Sequence, residues 1–130
     1  MRYETSLNLA GREIAIDQPT YFIADIAANH DGDPGRARDL IFLAKEAGAD
    51  CAKFQHFLAS EIVSDFGFRN LGGQQSHQSG WKKSVFEIYE QFHCPRDWTD
   101  MLVETCQEAD IHFMTTPYDF EAIDVFADIV

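Results

Sequence analysis

Two residues of this 130-residue chain carry charge where charge is costly. Asp25 sits in the apolar run Tyr21-Phe22-Ile23-Ala24-Asp25-Ile26-Ala27, and Lys53 sits in Cys51-Ala52-Lys53-Phe54-Gln55. An ionised side chain buried in such a run must be paired, hydrogen-bonded or used on a ligand. In an extended strand alternate side chains share a face, so Cys51, Lys53 and Gln55 point one way while Ala52 and Phe54 point the other. Lys53 thus offers a cation that needs an anion, with an amide beside it. A salt bridge between Asp25 and Lys53 on neighbouring strands would satisfy both charges without a ligand, and both readings stand. The polar turn Asn29-His30-Asp31-Gly32 follows the first run directly. Asn, Asp and Gly suit turn geometry alone, whereas His30 adds a proton carrier or metal ligand. The remaining histidines, His56, His77, His93 and His112, form no H-x-x-x-H pair with it or each other. Thr115-Thr116-Pro117 offers a hydroxyl or a backbone N–H to a phosphate.

The elements that must position these residues alternate in type. Leu7 to Ile16 reads as a hairpin, with alternating apolar residues around a Gly-containing turn. Tyr21–Ala27 has the length and continuous hydrophobicity of a strand covered on both faces. Asp33 is set to cap a helix with Pro34 in its first turn; Ala37, Leu40, Ile41 and Ala44 repeat at helical spacing, and Gly48 stops it. Cys51–Gln55 is the next strand, and Ile111–Thr116, closed by Pro117, the third. Between these two, Pro95 opens a helix with Trp98, Met101, Leu102 and Cys106 on one face. Asp119 caps a last helix whose buried side is expected to be Phe120, Ile123 and Phe126 or Ala127. Residues 56 to 93 form an excursion too long to be structureless. It holds a short helix through Val85, Ile88, Tyr89 and Phe92 and a polar loop from Gly72 to Gly80. Strands alternating with amphipathic helices predict a parallel α/β architecture, with ligands at the carboxyl ends of the strands. Residues 1–18 are expected to form the hairpin and 19–130 the parallel part.

Composition excludes several classes. With 45% hydrophobic residues the chain can bury enough surface to fold. Ten Lys+Arg stand against 22 Asp+Glu, a formal net charge of -12, which disfavours nucleic acid and anionic membranes. No apolar run approaches the roughly 20 residues of a membrane-spanning helix, and the N-terminus carries no signal-peptide pattern. Three cysteines, Cys51, Cys94 and Cys106, without C-x-x-C spacing read as reduced thiols of a cytoplasmic protein.

Three segments carry a resemblance. Phe22-Ile23-Ala24-Asp25-Ile26-Ala27-Ala28-Asn29-His30-Asp31-Gly32 resembles the opening strand and turn of the sialic acid synthase family, written E-I-G-x-N-H-x-G. Ala44-Lys45-Glu46-Ala47-Gly48-Ala49-Asp50-Cys51-Ala52-Lys53-Phe54-Gln55 is similar to its A-x-x-A-G-A-D-x-x-K-F-Q, and Phe113-Met114-Thr115-Thr116-Pro117-Tyr118-Asp119 to its F-x-S-T-P-F-D. The motifs occur in order and cover most of residues 20 to 130.

The resemblance implies an enzyme that condenses phosphoenolpyruvate with an N-acylated aldose such as N-acetylmannosamine, on a (β/α)8 TIM barrel with a divalent metal, Mn or Mg. It implies that Lys53 binds the carboxylate or phosphate of phosphoenolpyruvate and that Gln55 helps hold the sugar or a metal-bound water. Asp25 takes the place of the family's glutamate, Thr116 lies near the phosphate, and Asn29 with His30 shapes the floor. Gln74 or Gln75 would contact the N-acyl group. Asp25 is one methylene shorter than glutamate, and Ala27 replaces a glycine. A barrel of this kind takes roughly 250 residues, so the chain is expected to represent its N-terminal portion. The metal ligands are expected beyond residue 130, with the complete enzyme a homodimer and the 130-residue chain alone inactive. Two other readings stand beside this one. One is a phosphoenolpyruvate-dependent synthase of a shorter keto acid, against which the N-H-x-G and K-F-Q pair argues. The other is a non-catalytic α/β fragment that self-associates through an open strand edge.

Overall fold

The computed structural model describes residues 4–70 and 80–129. The chain opens with the antiparallel pair β1 (Ser6–Leu9) and β2 (Arg12–Ala15). Their turn, Ala10-Gly11, has both residues at positive φ, 49° and 85°, the type I′ geometry whose twist matches a two-residue hairpin. Asn8 secures it by accepting the Gly11 N–H at 3.0 Å.

The main sheet is three-stranded and parallel, in the order β3 (Ile23–Ala27), β4 (Cys51–His56), β5 (His112–Pro117). Helix α1 (Pro34–Glu46) connects the first two strands. Asp33 caps it by accepting the N–H groups of Gly35 and Arg36, and Gly48, at φ +88°, turns the chain back. Among the described residues after β4 come the short helices α2 (Ala59–Ile62), α3 (Asp65–Arg69) and α4 (Val85–Phe92). Only α4 is foreshadowed by periodicity. It begins with a reciprocal capping box between Ser84 and Glu87. A single 3-10 turn (Arg96–Trp98) follows Pro95 and leads into α5 (Thr99–Glu108), so the helix expected to open at Pro95 begins four residues later. The chain then enters β5 and α6 (Phe120–Phe126).

Helices α1 and α5 cover one face of the sheet. Ala37, Ile41, Ala44, Leu102 and Cys106 pack there against Ala52 and Phe54 of β4, all 8% exposed or less. Burial of side chains this size contributes roughly 1.5–3 kcal/mol each for the larger ones. The opposite face is open: Ile23 and Asp25, which share it, are both exposed, so the strand expected to be covered on both sides is covered on one. Its first two residues, Tyr21 and Phe22, precede the ladder, although the Phe22 carbonyl still accepts the N–H groups of Asp50 and Cys51. In α6 Phe126 is buried as expected, together with Ala122, whereas Phe120 and Ile123, expected on the same side, face outward. The anchor explains this rotation. Asp119 accepts the Ala122 N–H at 2.8 Å and is gripped by Arg96, whose Nη2 lies 2.6 and 2.7 Å from its two carboxylate oxygens. Phe126 is thereby turned onto His56, ring centroids 4.3 Å apart.

Candidate active site

Parallel pairing aligns side chains across the sheet in rows, because residues in register point to the same face. Asp25, Lys53 and Met114 are in register across the three strands, and Gln55 is in register with Thr116 one row closer to the carboxyl ends. The open face therefore gathers Asp25, Lys53, Gln55 and Thr116. The covered face takes the alternates. Thr115 is buried there and its Oγ1 lies 2.7 Å from His56 Nδ1.

Lys53 Nζ lies 3.4 Å from Asp25 Oδ1, so the pairing anticipated from the sequence forms. The carboxylate, however, is not buried: the Asp25 side chain is 55% exposed and that of Lys53 26%. Asp25 leaves the apolar run on the uncovered side, where water or a ligand reaches it. A register irregularity between Asp25 and Ala27 bends the end of β3, and Ala27 adopts φ +51°. This left-handed conformation costs an L-residue roughly 1–2 kcal/mol, which gives a physical reason for glycine at the matching position of the motif.

The turn after β3 splits its residues. Asn29 is exposed, with its Nδ2 donating to the Ile26 carbonyl at 2.9 Å. His30 is fully buried, accepts the Gly32 N–H at Nδ1 (3.1 Å) and meets the edge of Trp98. Burial holds its imidazole below the ordinary histidine range, with Asp31 opposing that shift. His30 therefore supports the turn from the helical side, and Asn29 reaches the cleft. Gln74 and Gln75 lie outside the described residues.

A cleft of about 770 Å³ opens at the carboxyl ends of β3 and β4. One wall is Ala27, Ala28, Asn29, Asp31 and Gln55; the other is Phe57, Trp81, Ile88, Tyr89 and Phe92. Sequence reading missed this second wall. The spacing of Ile88, Tyr89 and Phe92 pointed only to a short helix, and the structure turns these residues toward the cleft. Among the described residues no group of three or more His, Cys, Asp or Glu is placed to hold a metal ion. Lys53 presents a cation on this face, Gln55, Asn29 and Thr116 present hydrogen-bonding groups, and Asp25 presents a carboxylate.

A parallel sheet with helices between its strands and a cleft at their carboxyl ends is the arrangement of the amino-terminal part of a (β/α)8 barrel. The solved sialic acid synthetase of Leptospira borgpetersenii, in complex with citrate, superposes with TM-score 0.74 at 23% identity, covering 95% of this chain and 38% of that one. The spore coat polysaccharide biosynthesis protein SpsE of Bacillus subtilis gives TM-score 0.67 at 28% identity over 95% of this chain and 30% of its own. The sequence matches the NeuB family over residues 40–130, and the chain belongs to that family.

In sequence, SpsE is 30% identical over 120 residues, which is 92% of this chain and 31% of the relative. Human N-acetylneuraminate-9-phosphate synthase is 31% identical over 119 residues, 92% of this chain and 32% of its own. The N,N'-diacetyllegionaminic acid synthase of Legionella pneumophila is 30% identical over 104 residues, 80% and 29% respectively. The chain thus spans about a third of the length of the curated relatives it matches. Among the described residues no helix is long and apolar enough to cross a membrane.

Proposed function

We propose that this chain forms the phosphoenolpyruvate-facing part of a nonulosonic acid synthase, which joins phosphoenolpyruvate to an N-acylated aldose and releases phosphate. The observation that carries the reading is the juxtaposition of Lys53 with Asp25, in the row below Gln55 and Thr116, on a sheet face open toward the cleft. In the reaction, C3 of phosphoenolpyruvate attacks the aldehyde carbon of the sugar, water adds at C2, and the phosphate leaves. Lys53 supplies a fixed positive charge to the substrate anion, an interaction that strengthens where water is excluded. Asp25 lies within reach of that ammonium and can take or return a proton at the reacting sugar. Gln55 and Thr116 orient the two substrates. A divalent metal, Mn or Mg, would draw its ligands from outside the described residues, and the chain's own part is binding and positioning. A homodimer in the cytoplasm belongs to the same proposal.

The relatives' names differ in one chemical respect. One specifies a 9-phosphate product, and another a diacetylated acid without phosphate. Three carbons from phosphoenolpyruvate precede six from the aldose, so C9 of the product is C6 of the sugar.

Lys53→Met in the complete barrel protein is the decisive test. Methionine keeps most of the aliphatic stem and removes the charge. Because the Asp25 partner is more than half exposed, losing the pair should cost no more than about 1 kcal/mol. The expected outcome is a KM for phosphoenolpyruvate raised at least about tenfold with little change in Tm. An unchanged KM together with a large fall in Tm would make the pair purely structural.

A further inference from the structure

We propose that His56 and His30 form a buried hydrogen-bond chain that fixes Gln55, Thr116 and Asn29 relative to one another, with His56 as the central positioning residue. The chain itself rests on where those residues lie in the fold, and its effect on turnover rests on the synthase reading. The His56 side chain crosses the sheet behind the candidate site. Gln55 and Thr116 are in register on the open face; His56 follows the first, and Thr115 precedes the second. Alternation sends both of these to the covered face, where His56 Nδ1 lies 2.7 Å from Thr115 Oγ1. Sliding β4 against β5 far enough to part Gln55 from Thr116 would break that bond. The bond is shielded from water, because His56 is 1% and Thr115 7% exposed.

His30 extends the chain to the turn after β3. It is fully buried and its Nδ1 accepts the Gly32 N–H at 3.1 Å, so the neutral ring carries its proton on Nε2. Neither that Nε2 nor Nε2 of His56 has a hydrogen-bond partner among the described residues. The two rings are close enough for the charge of one to oppose protonation of the other. Arg96 faces His56, and Asp31 and His93 face His30, without offering an acceptor to either Nε2. Buried polar nitrogens are costly to leave unpaired. One arrangement satisfies both. His56 holds its proton on Nδ1 and donates it to Thr115, and its Nε2 accepts, through one bound water, from Nε2–H of His30. The chain then joins the carboxyl ends of β3, β4 and β5. Asn29 is placed by it because the turn is pinned on either side: Asn29 Nδ2 donates to the Ile26 carbonyl, and the His30 carbonyl accepts the Asp33 N–H at 2.9 Å.

Nitrogen-15 NMR of the complete barrel protein at neutral pH, without substrates, reads the tautomers directly. The expected result is a proton on Nε2 of His30 and on Nδ1 of His56; a proton on Nε2 of His56 overturns the chain. The second arm follows phosphate release from phosphoenolpyruvate with N-acetylmannosamine. In His56→Asn the amide nitrogen takes the place of Nδ1 toward Thr115, whereas His56→Leu keeps bulk without a hydrogen bond. The expected kcat/KM is within about threefold of wild type for the first and reduced by about tenfold or more for the second. Thr115→Val should lose a factor similar to His56→Leu, and the double variant no more than the worse single, since both break the same link. Equal losses in His56→Asn and His56→Leu, or losses that multiply in the double variant, overturn the positioning role. Should a variant fail to fold, the wild-type tautomers still decide. A wild-type protein with the expected tautomers that releases no phosphate from both substrates would defeat the synthase reading and leave the chain standing.

Discussion

Acid should weaken this protein before its carboxylates titrate, because of His56. The residue is 1% exposed, lies with Nδ1 2.7 Å from the Thr115 hydroxyl, and packs on Phe126. Burial first, then the positive charge of Arg96 and repulsion against protonation of His30, lower its pKa from 6.5 to about 4. In the unfolded chain the imidazole takes a proton as pH falls through 6.5, whereas in the folded protein it resists until about 4. The unfolded state binds more protons across that interval. Stability from this group is therefore complete above 6.5 and is lost as pH drops toward 4. Between about pH 7.5 and about pH 5 the linkage amounts to about 2 kcal/mol. The buried His30 shifts in the same direction and adds to the slope. Asp50 and Glu87, both held below their ordinary values, act the opposite way around in pH: their contribution is present above 3.8 and 4.5 and is lost below. They contribute little in the histidine window. Urea titrations of the wild type and of His56→Gln at the two pH values check the argument. The variant should be less stable at the higher pH, yet lose about 2 kcal/mol less on acidification. Equal losses in both proteins would refute the assignment.

Three further outcomes follow from the packing. Ala27→Gly should raise stability by about 0.5–1 kcal/mol in the same titration, since relief of the positive φ exceeds glycine's added freedom in the unfolded chain; a decrease would show that the bend at the end of β3 is unstrained. Arg96→Met should cost about 1–3 kcal/mol, because it leaves Asp119, 10% exposed, without its cation at the start of α6; a Tm shift within error would show the clamp to be idle. Cys51, Cys94 and Cys106 are all buried, and burial pushes the thiols of Cys94 and Cys106 up to about 12, so a disulfide reagent should label none of the three until the protein is unfolded; rapid native labelling would contradict the packing.

The fold was legible where local chemistry and tertiary packing agree. Asp33, Pro34 and Gly48 mark the two ends of α1, and the alternation in Cys51–Gln55 separates the face of Lys53 and Gln55 from the core face before any strand pairing is known. Legibility failed where a partner distant in sequence decides. The face of α6 depends on Arg96, 23 residues before Asp119, and nothing in Phe120–Phe126 reveals it. Exposure of Asp25 depends on which side of β3 the helices cover, and hydrophobicity of the run cannot tell one covered face from two. His30 and Asn29 are adjacent in a turn whose letters suit either role. Only the backbone direction sends one under Trp98 and the other to the cleft.

The alternation along β4 has a consequence for folding fidelity. Moving this strand by one residue relative to its neighbours would send Lys53 and Gln55 toward Ile41 and Leu102 and leave Phe54 facing water. Such a slip buries a charge and exposes an aromatic ring at the same moment. Lys53 thereby marks the correct alignment of the sheet, and neutral substitutions there should make misaligned chains more common. A charge held on the open face thus also guards the alignment of the strand that carries it.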